Sequence, residues 1–131
     1  MMKKSLFVSA AALMLALPAV VSSHHSFAIY DMQTNIEFEG VVETLKFRNP
    51  HMAMTLRETN ENGEERIVNF VEGAPANMLV RMGFDPAVIQ PGQKIKAIGS
   101  PRTDDPQAFF LKTIILEDGT RFETLGGPGR R

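Results

Sequence analysis

No cysteine occurs anywhere in the chain. That removes a disulfide framework, a thiolate nucleophile and a Cys-rich metal site together. A basic excess is also missing: 14 Lys and Arg stand against 15 Asp and Glu. A partner with a phosphate backbone would call for a basic face, so nucleic acid is not expected as a partner. There is no internal repeat and no low-complexity block. Complete catalytic signatures are absent too: no serine elbow with its histidine and acid, no glycine-rich phosphate loop, no His-Glu-x-x-His helix. One domain without a nucleophile–base pair points away from an enzyme.

Only one long apolar run is present, and it stands at the start. Lys3 and Lys4 precede an apolar stretch over residues 6–21, and small Ser22 and Ser23 follow it. This order reads as an export signal over residues 1–23, removed by cleavage after Ser22 or Ser23. The run is too short and too Ala-rich to read as a membrane span, so no membrane association is expected after cleavage. The expected location is the periplasm or the secreted fraction of a bacterium. Cleavage would leave one domain over residues 24–125 and a flexible tail over 126–131, whose Gly-Gly-Pro-Gly-Arg-Arg lacks any periodicity. Loss of Lys3 and Lys4 leaves 12 basic and 15 acidic side chains, a formal charge of about −3. Without disulfides, the core must hold the fold in an oxidising space.

Within the domain the apolar residues alternate in the manner of strands. Residues 26–31 read as a short extended arm anchored by Phe27 and Tyr30. Residues 36–47 form a long strand whose apolar parity changes at Gly40, which predicts a bulge or bend there. Asn49-Pro50 ends it, with Pro50 a candidate for a cis bond. Residues 52–59 place Met52, Met54 and Leu56 on one face, and Asn62-Gly63 marks a hairpin into a third strand at 66–71. A helix is predicted over 76–82, between Pro75 and Gly83. Strands at 94–99 and 109–116 follow, and Asp118-Gly119 turns into a short sixth at 121–125. The fold class is therefore all-β: an OB-fold-like barrel of five to six strands, with a short helix between strands 3 and 4. A β-sandwich is the competing architecture. Val42, Leu56, Val68, Leu79, Ile95, Ile98 and Ile114 are the expected core. Phe27, Phe38, Phe47, Phe70, Phe84, Phe109 and Phe110 read mainly as packing residues. The five methionines beyond the leader read as core filler.

Several short motifs stand in a fixed order: H-H-S-F at 24–27, N-P-H at 49–51, E-G-A-P-A-N at 72–77, L-V-R-M-G at 79–83, P-G-Q at 91–93 and D-G at 118–119. This set resembles a family of small exported bacterial proteins carried as a domain of unknown function, and the resemblance spans the whole chain after the leader. The chain departs from that pattern at Phe47 and Phe84, where the family implies tryptophan. It departs again at Asp104-Asp105-Pro106, where relatives carry Asp-Gly. These changes should touch packing and a loop and leave the histidine motifs intact.

His24, His25 and His51 are the only histidines, and they are the candidate metal ligands. Neutral imidazole suits copper, zinc and nickel, and a freed α-amine adds a nitrogen donor. Cleavage after Ser23 would let the amine and ring of His24 clamp one ion while His51 completes a T-shaped set. That arrangement resembles a histidine brace and favours copper as the cofactor. Cleavage after Ser22 would put a histidine third, which suits a square-planar Cu(II) or Ni(II) site. A structural reading covers the same residues: solvated paired histidines, and His51 bonded to a backbone carbonyl at a strand junction. Glu72 and Asn77 read as helix-start residues, Glu72 at the positive helix end or paired with Arg81. The alternative function is a non-catalytic module whose barrel face takes a small ligand, a glycan or a partner protein.

Overall fold

A computed structural model describes residues 27–125 of the chain. The expected leader, His24, His25 and the expected tail lie outside the described residues. Six strands form one sheet in the order β3-β2-β1-β4-β5-β6, and a further pairing of β3 with β5 closes five of them into a barrel. The strands are β1 (Ile36–Lys46), β2 (Ala53–Thr59), β3 (Glu65–Glu72), β4 (Lys94–Pro101), β5 (Ala108–Leu116) and β6 (Arg121–Glu123). One helix, α1 (Ala76–Arg81), lies between β3 and β4. This is the OB-like barrel that the element order predicts. No helix among the described residues is long and apolar enough to cross a membrane.

Closure depends on the long first strand. Its first half, from Ile36 to Val41, pairs antiparallel with β4, and its second half, from Val41 to Lys46, pairs with β2. Phe38, Gly40 and Val42 point inward. The register then slips between Val42 and Thr44, so Glu43 is the extra residue and Leu45 and Phe47 pack back against the core. The bulge therefore falls three residues after Gly40, where the parity count put it. Gly40 sits in regular pairing opposite Ile95. The change of parity is placed early when Val41 is counted as a core residue, whereas Val42 faces in.

The core holds Val42, Leu56, Val68, Leu79, Ile95 and Ile114 as expected. Ile98 is a correction: it is only partly buried, since Ile95 and Ala97 face inward and period-two alternation turns Ile98 out beside Glu37. Its place is taken by Gly99 and Ser100, both buried where the β4–β5 register slips. Phe47 and Phe84, the two positions where the motif set implies tryptophan, pack on each other at 5.4 Å between ring centres. Phe122 meets Phe84 edge-on at 4.9 Å. The two departures thus share one contact.

Local chemistry sets the turns. Asn60 accepts from the backbone N–H of Asn62 and of Glu64, each at 2.9 Å, which fixes the β2–β3 hairpin. Asp85 accepts from the Ala87 N–H at 2.8 Å and starts the 3-10 turn Pro86–Val88. The arm is not extended: Phe27–Ile29 is a single 3-10 turn, closed by the Tyr30 N–H donating to the Phe27 carbonyl at 3.1 Å.

Candidate functional site

His51 stands in the loop between β1 and β2, and that loop is laced to the segment joining β3 to α1. The Ala76 N–H donates to the Arg48 carbonyl at 3.2 Å, the Asn77 N–H to Asn49 Oδ1 at 3.1 Å, and the Met52 N–H to the Ala74 carbonyl at 3.1 Å. Two free N–H groups at the start of α1 are thereby satisfied from across the chain. This corrects the expected role of Asn77: its own backbone receives the cap, and Asn49 supplies it. The Asn49–Pro50 bond is cis. Close packing beneath the loop requires glycine at position 73, where a Cβ would meet Met52 Cγ at 2.7 Å.

This lacing puts His51 beside the end of β3. His51 Nδ1 lies 3.3 Å from the Gly73 carbonyl oxygen and 3.3 Å from Glu72 Oε1. Both neighbours are acceptors, so Nδ1 carries the proton and Nε2 is left with its lone pair in the neutral ring. The His51 side chain is 45 % exposed, against 14 % for Glu72. The structural reading of His51 foresaw the carbonyl bond; the carboxylate is additional. Glu72, expected at the helix start, is instead the last residue of β3, four positions before α1, and its carboxylate meets His51.

The other carboxylate oxygen of Glu72 accepts from the Tyr30 hydroxyl at 2.9 Å. Tyr30 is 5 % exposed, and its ring meets Phe110 edge-on at 5.4 Å, as does the ring of Phe27. Phe110 is itself the partner of Glu72 in the parallel β3–β5 pairing. Backbone bonds pin the arm to the same end: the Asp31 N–H donates to the Pro101 carbonyl at 2.9 Å and the Thr103 N–H to the Ile29 carbonyl at 2.8 Å. The sequence reading missed the Tyr30–Glu72–His51 chain. The β3–β5 register slips between Phe70 and Glu72, which sets Glu72 beside Phe110 and off the face of Val68 and Phe70, and no alternation in the sequence marks that slip.

Burial is the largest cause that pushes the Tyr30 hydroxyl far above its ordinary value, and the bond to Glu72 and its charge add to it. A group whose folded pKa is raised contributes stability that is present below its unfolded value, about 10, and is lost as pH rises beyond it. Tyr30 is the only tyrosine and there is no tryptophan, so the near-ultraviolet tyrosinate band reads this group alone. The folded protein should show no tyrosinate as pH passes 10, and the band should emerge only with unfolding. A reversible titration near 10 in the folded state would place the hydroxyl in solvent.

Among the described residues, no three His, Cys, Asp or Glu side chains gather into a set that could hold a metal ion. His51 brings one imidazole; His24 and His25 lie outside the described residues. A separate shallow groove of about 250 Å³ crosses the outer face of β1, β2 and β3, lined by Thr44, Lys46, Arg48, Thr55, Asn69 and Val71 among others. It borders the β1–β2 loop, on the face that OB folds use for ligands.

No curated protein and no solved structure matches the chain. A family model does match, over residues 11–108, and that span takes in the histidine pair, the β1–β2 loop with His51, and Glu72. The chain belongs to the family of unknown function DUF6152.

Proposed function

We propose that this chain is an exported, non-catalytic β-barrel protein that binds a transition metal, copper by preference, through His24, His25 and His51. One observation carries the reading: His51 Nδ1 is held by the Gly73 carbonyl and Glu72, which leaves Nε2 as the donor nitrogen on an exposed ring. Metal-binding histidines characteristically give their other ring N–H to a carboxylate or a backbone carbonyl, which fixes the tautomer and raises the basicity of the donor. The docked arm adds support. Phe27 packs on the strand beside Glu72, and His24 precedes it by three residues, a reach of about 10 Å in extended chain. The leader pattern of residues 1–23 supports export to the periplasm or beyond, where cleavage would free the α-amine next to the histidine pair.

Isothermal titration with Cu(II) tests the reading. The exported, processed protein should take up one equivalent. His51→Ala should weaken binding at least about tenfold, since it removes a ligand from a set of few donors. Fluorescence of the single tyrosine, which touches Glu72, should be quenched at the same stoichiometry. Equal affinity in the two proteins would remove His51 from the site.

A further inference from the structure

Charge on the barrel surface is mostly compensated. Arg57, Arg66, Lys94, Lys96, Arg102 and Arg121 each meet a carboxylate. Lys46 and Arg48 form no ion pair among the described residues, and no Asp or Glu lines the groove of about 250 Å³ that both border. In a chain with more acidic than basic residues, two neighbouring uncompensated cations are an exception. We propose that this groove binds a small acidic sugar, a uronate, through Lys46 and Arg48.

The bulge in β1 builds the site. Phe38 and Val42 face inward, and without a slip the same parity would carry Thr44, Lys46 and Arg48 into the core. The extra residue at Glu43 turns all three outward and sends Leu45 and Phe47 in. Arg48 lies just past the end of the strand, but its carbonyl accepts from the Ala76 N–H at 3.2 Å, which fixes its backbone. Thr44 pairs with Thr55 and Thr55 with Asn69, so three polar side chains form a row across the sheet. In the next row Lys46 stands opposite Ala53, whose small side chain leaves the floor open toward exposed Val71.

The lining selects the ligand. A guanidinium fork matches a carboxylate, and the lysine ammonium adds a point charge beside it. Thr44 Oγ1 and Thr55 Oγ1 are 2.7 Å apart, and whichever donates, one hydroxyl hydrogen stays free for a ligand. Asn69 brings an amide that can both donate to and accept from a sugar hydroxyl. Val71 offers apolar surface to the C–H face of a ring. Phe70 in the lining is buried, so the groove presents no exposed ring on which a nucleobase could stack. The volume lies below the roughly 300–1,000 Å³ of pockets for drug-sized molecules, which suits a single sugar unit.

Amide shifts of nitrogen-labelled, metal-free protein titrated with galacturonate test the proposal. Thr44, Thr55, Asn69 and Val71 should shift and saturate, with a Kd of about 1 mM or tighter. Galactose, which lacks the carboxylate, should bind at least about tenfold more weakly, and so should inorganic phosphate, which lacks the ring. Lys46→Gln and Arg48→Gln should each lower the affinity about fivefold or more. Ala53→Leu keeps both charges but fills the floor, and should abolish saturation. Should Ala53→Leu fail to fold, the two charge variants still decide the matter. No saturable shift with galacturonate would overturn the proposal, as would unchanged affinity in both charge variants. Equal binding of galactose would remove the anion contacts, and equal binding of phosphate would leave an adventitious ion only; either result rejects the uronate site. The titration contains no metal, so its outcome is independent of whether the protein takes up Cu(II).

Discussion

Gly40→Ala is expected to destabilise the barrel by on the order of 3 kcal/mol or more, a large share of the roughly 5–15 kcal/mol that holds a domain of this size. A Cβ at this position would lie 2.3 Å from the Arg57 carbonyl oxygen and 2.9 Å from its carbon. Both are backbone atoms of β2, the strand whose pairing with β1 begins at Val41 and Arg57. Neither can move without breaking the ladder on which closure depends. The entropy that alanine saves in the unfolded chain, about 0.4–1 kcal/mol, does not offset such a clash. Gly63→Ala is the control. That glycine has a positive φ of 78° but no atom within 4 Å of an added Cβ, so only the backbone strain of about 1–2 kcal/mol applies. Urea denaturation of the two variants should separate them clearly. A Gly40→Ala loss below about half a kcal/mol would show that the strands can part there at little cost.

The same glycine illustrates what can be read from a chain of this kind. Parity counting found an irregularity in β1 but could not place the bulge or bend, since Val41 and Val42 are both apolar and either could be the inward residue. The pairing does so: the approach is at Gly40 and the bulge at Glu43. Strand β2 was readable from Met52, Met54 and Leu56, and the hairpin from Asn62-Gly63, because those signals are local. Ile98 misled because a β-branched apolar residue among others looks like core, while the alternation set by Ile95 and Ala97 turns it outward. The candidate site was readable only in part. His51 stood out as one of three histidines, but the contact between Tyr30 and Glu72 is created by the parallel pairing of β3 with β5, which no local pattern announces. His24 and His25 remain sequence-level candidates, and their roles rest on the chemistry of a processed N-terminus.

Acetylation of the α-amine of the processed protein should weaken Cu(II) binding by at least about 100-fold, equal to roughly 2.8 kcal/mol. The barrel should be unaffected, because the first described contact of the arm is Phe27 on Phe110. The reasoning concerns donors. With cleavage after Ser23, the amine and ring of His24 form one chelate and His51 closes the set. With cleavage after Ser22, the amine anchors a square-planar site whose third-position imidazole is His25. Either geometry loses its anchoring donor when the amine is blocked. Acidification should mimic the block. Imidazole and amine bind only when deprotonated, and the amine, with a reference pKa near 8, makes the fall in affinity steeper than imidazoles alone would. Titrations of native and acetylated protein at two pH values, with circular dichroism as the fold control, give the comparison. Equal affinities of the two forms would eliminate the amine as a ligand, and with it the brace. A loss in the acetylated form, with His51→Ala also weakened, would join the two ends of the proposed site on one ion.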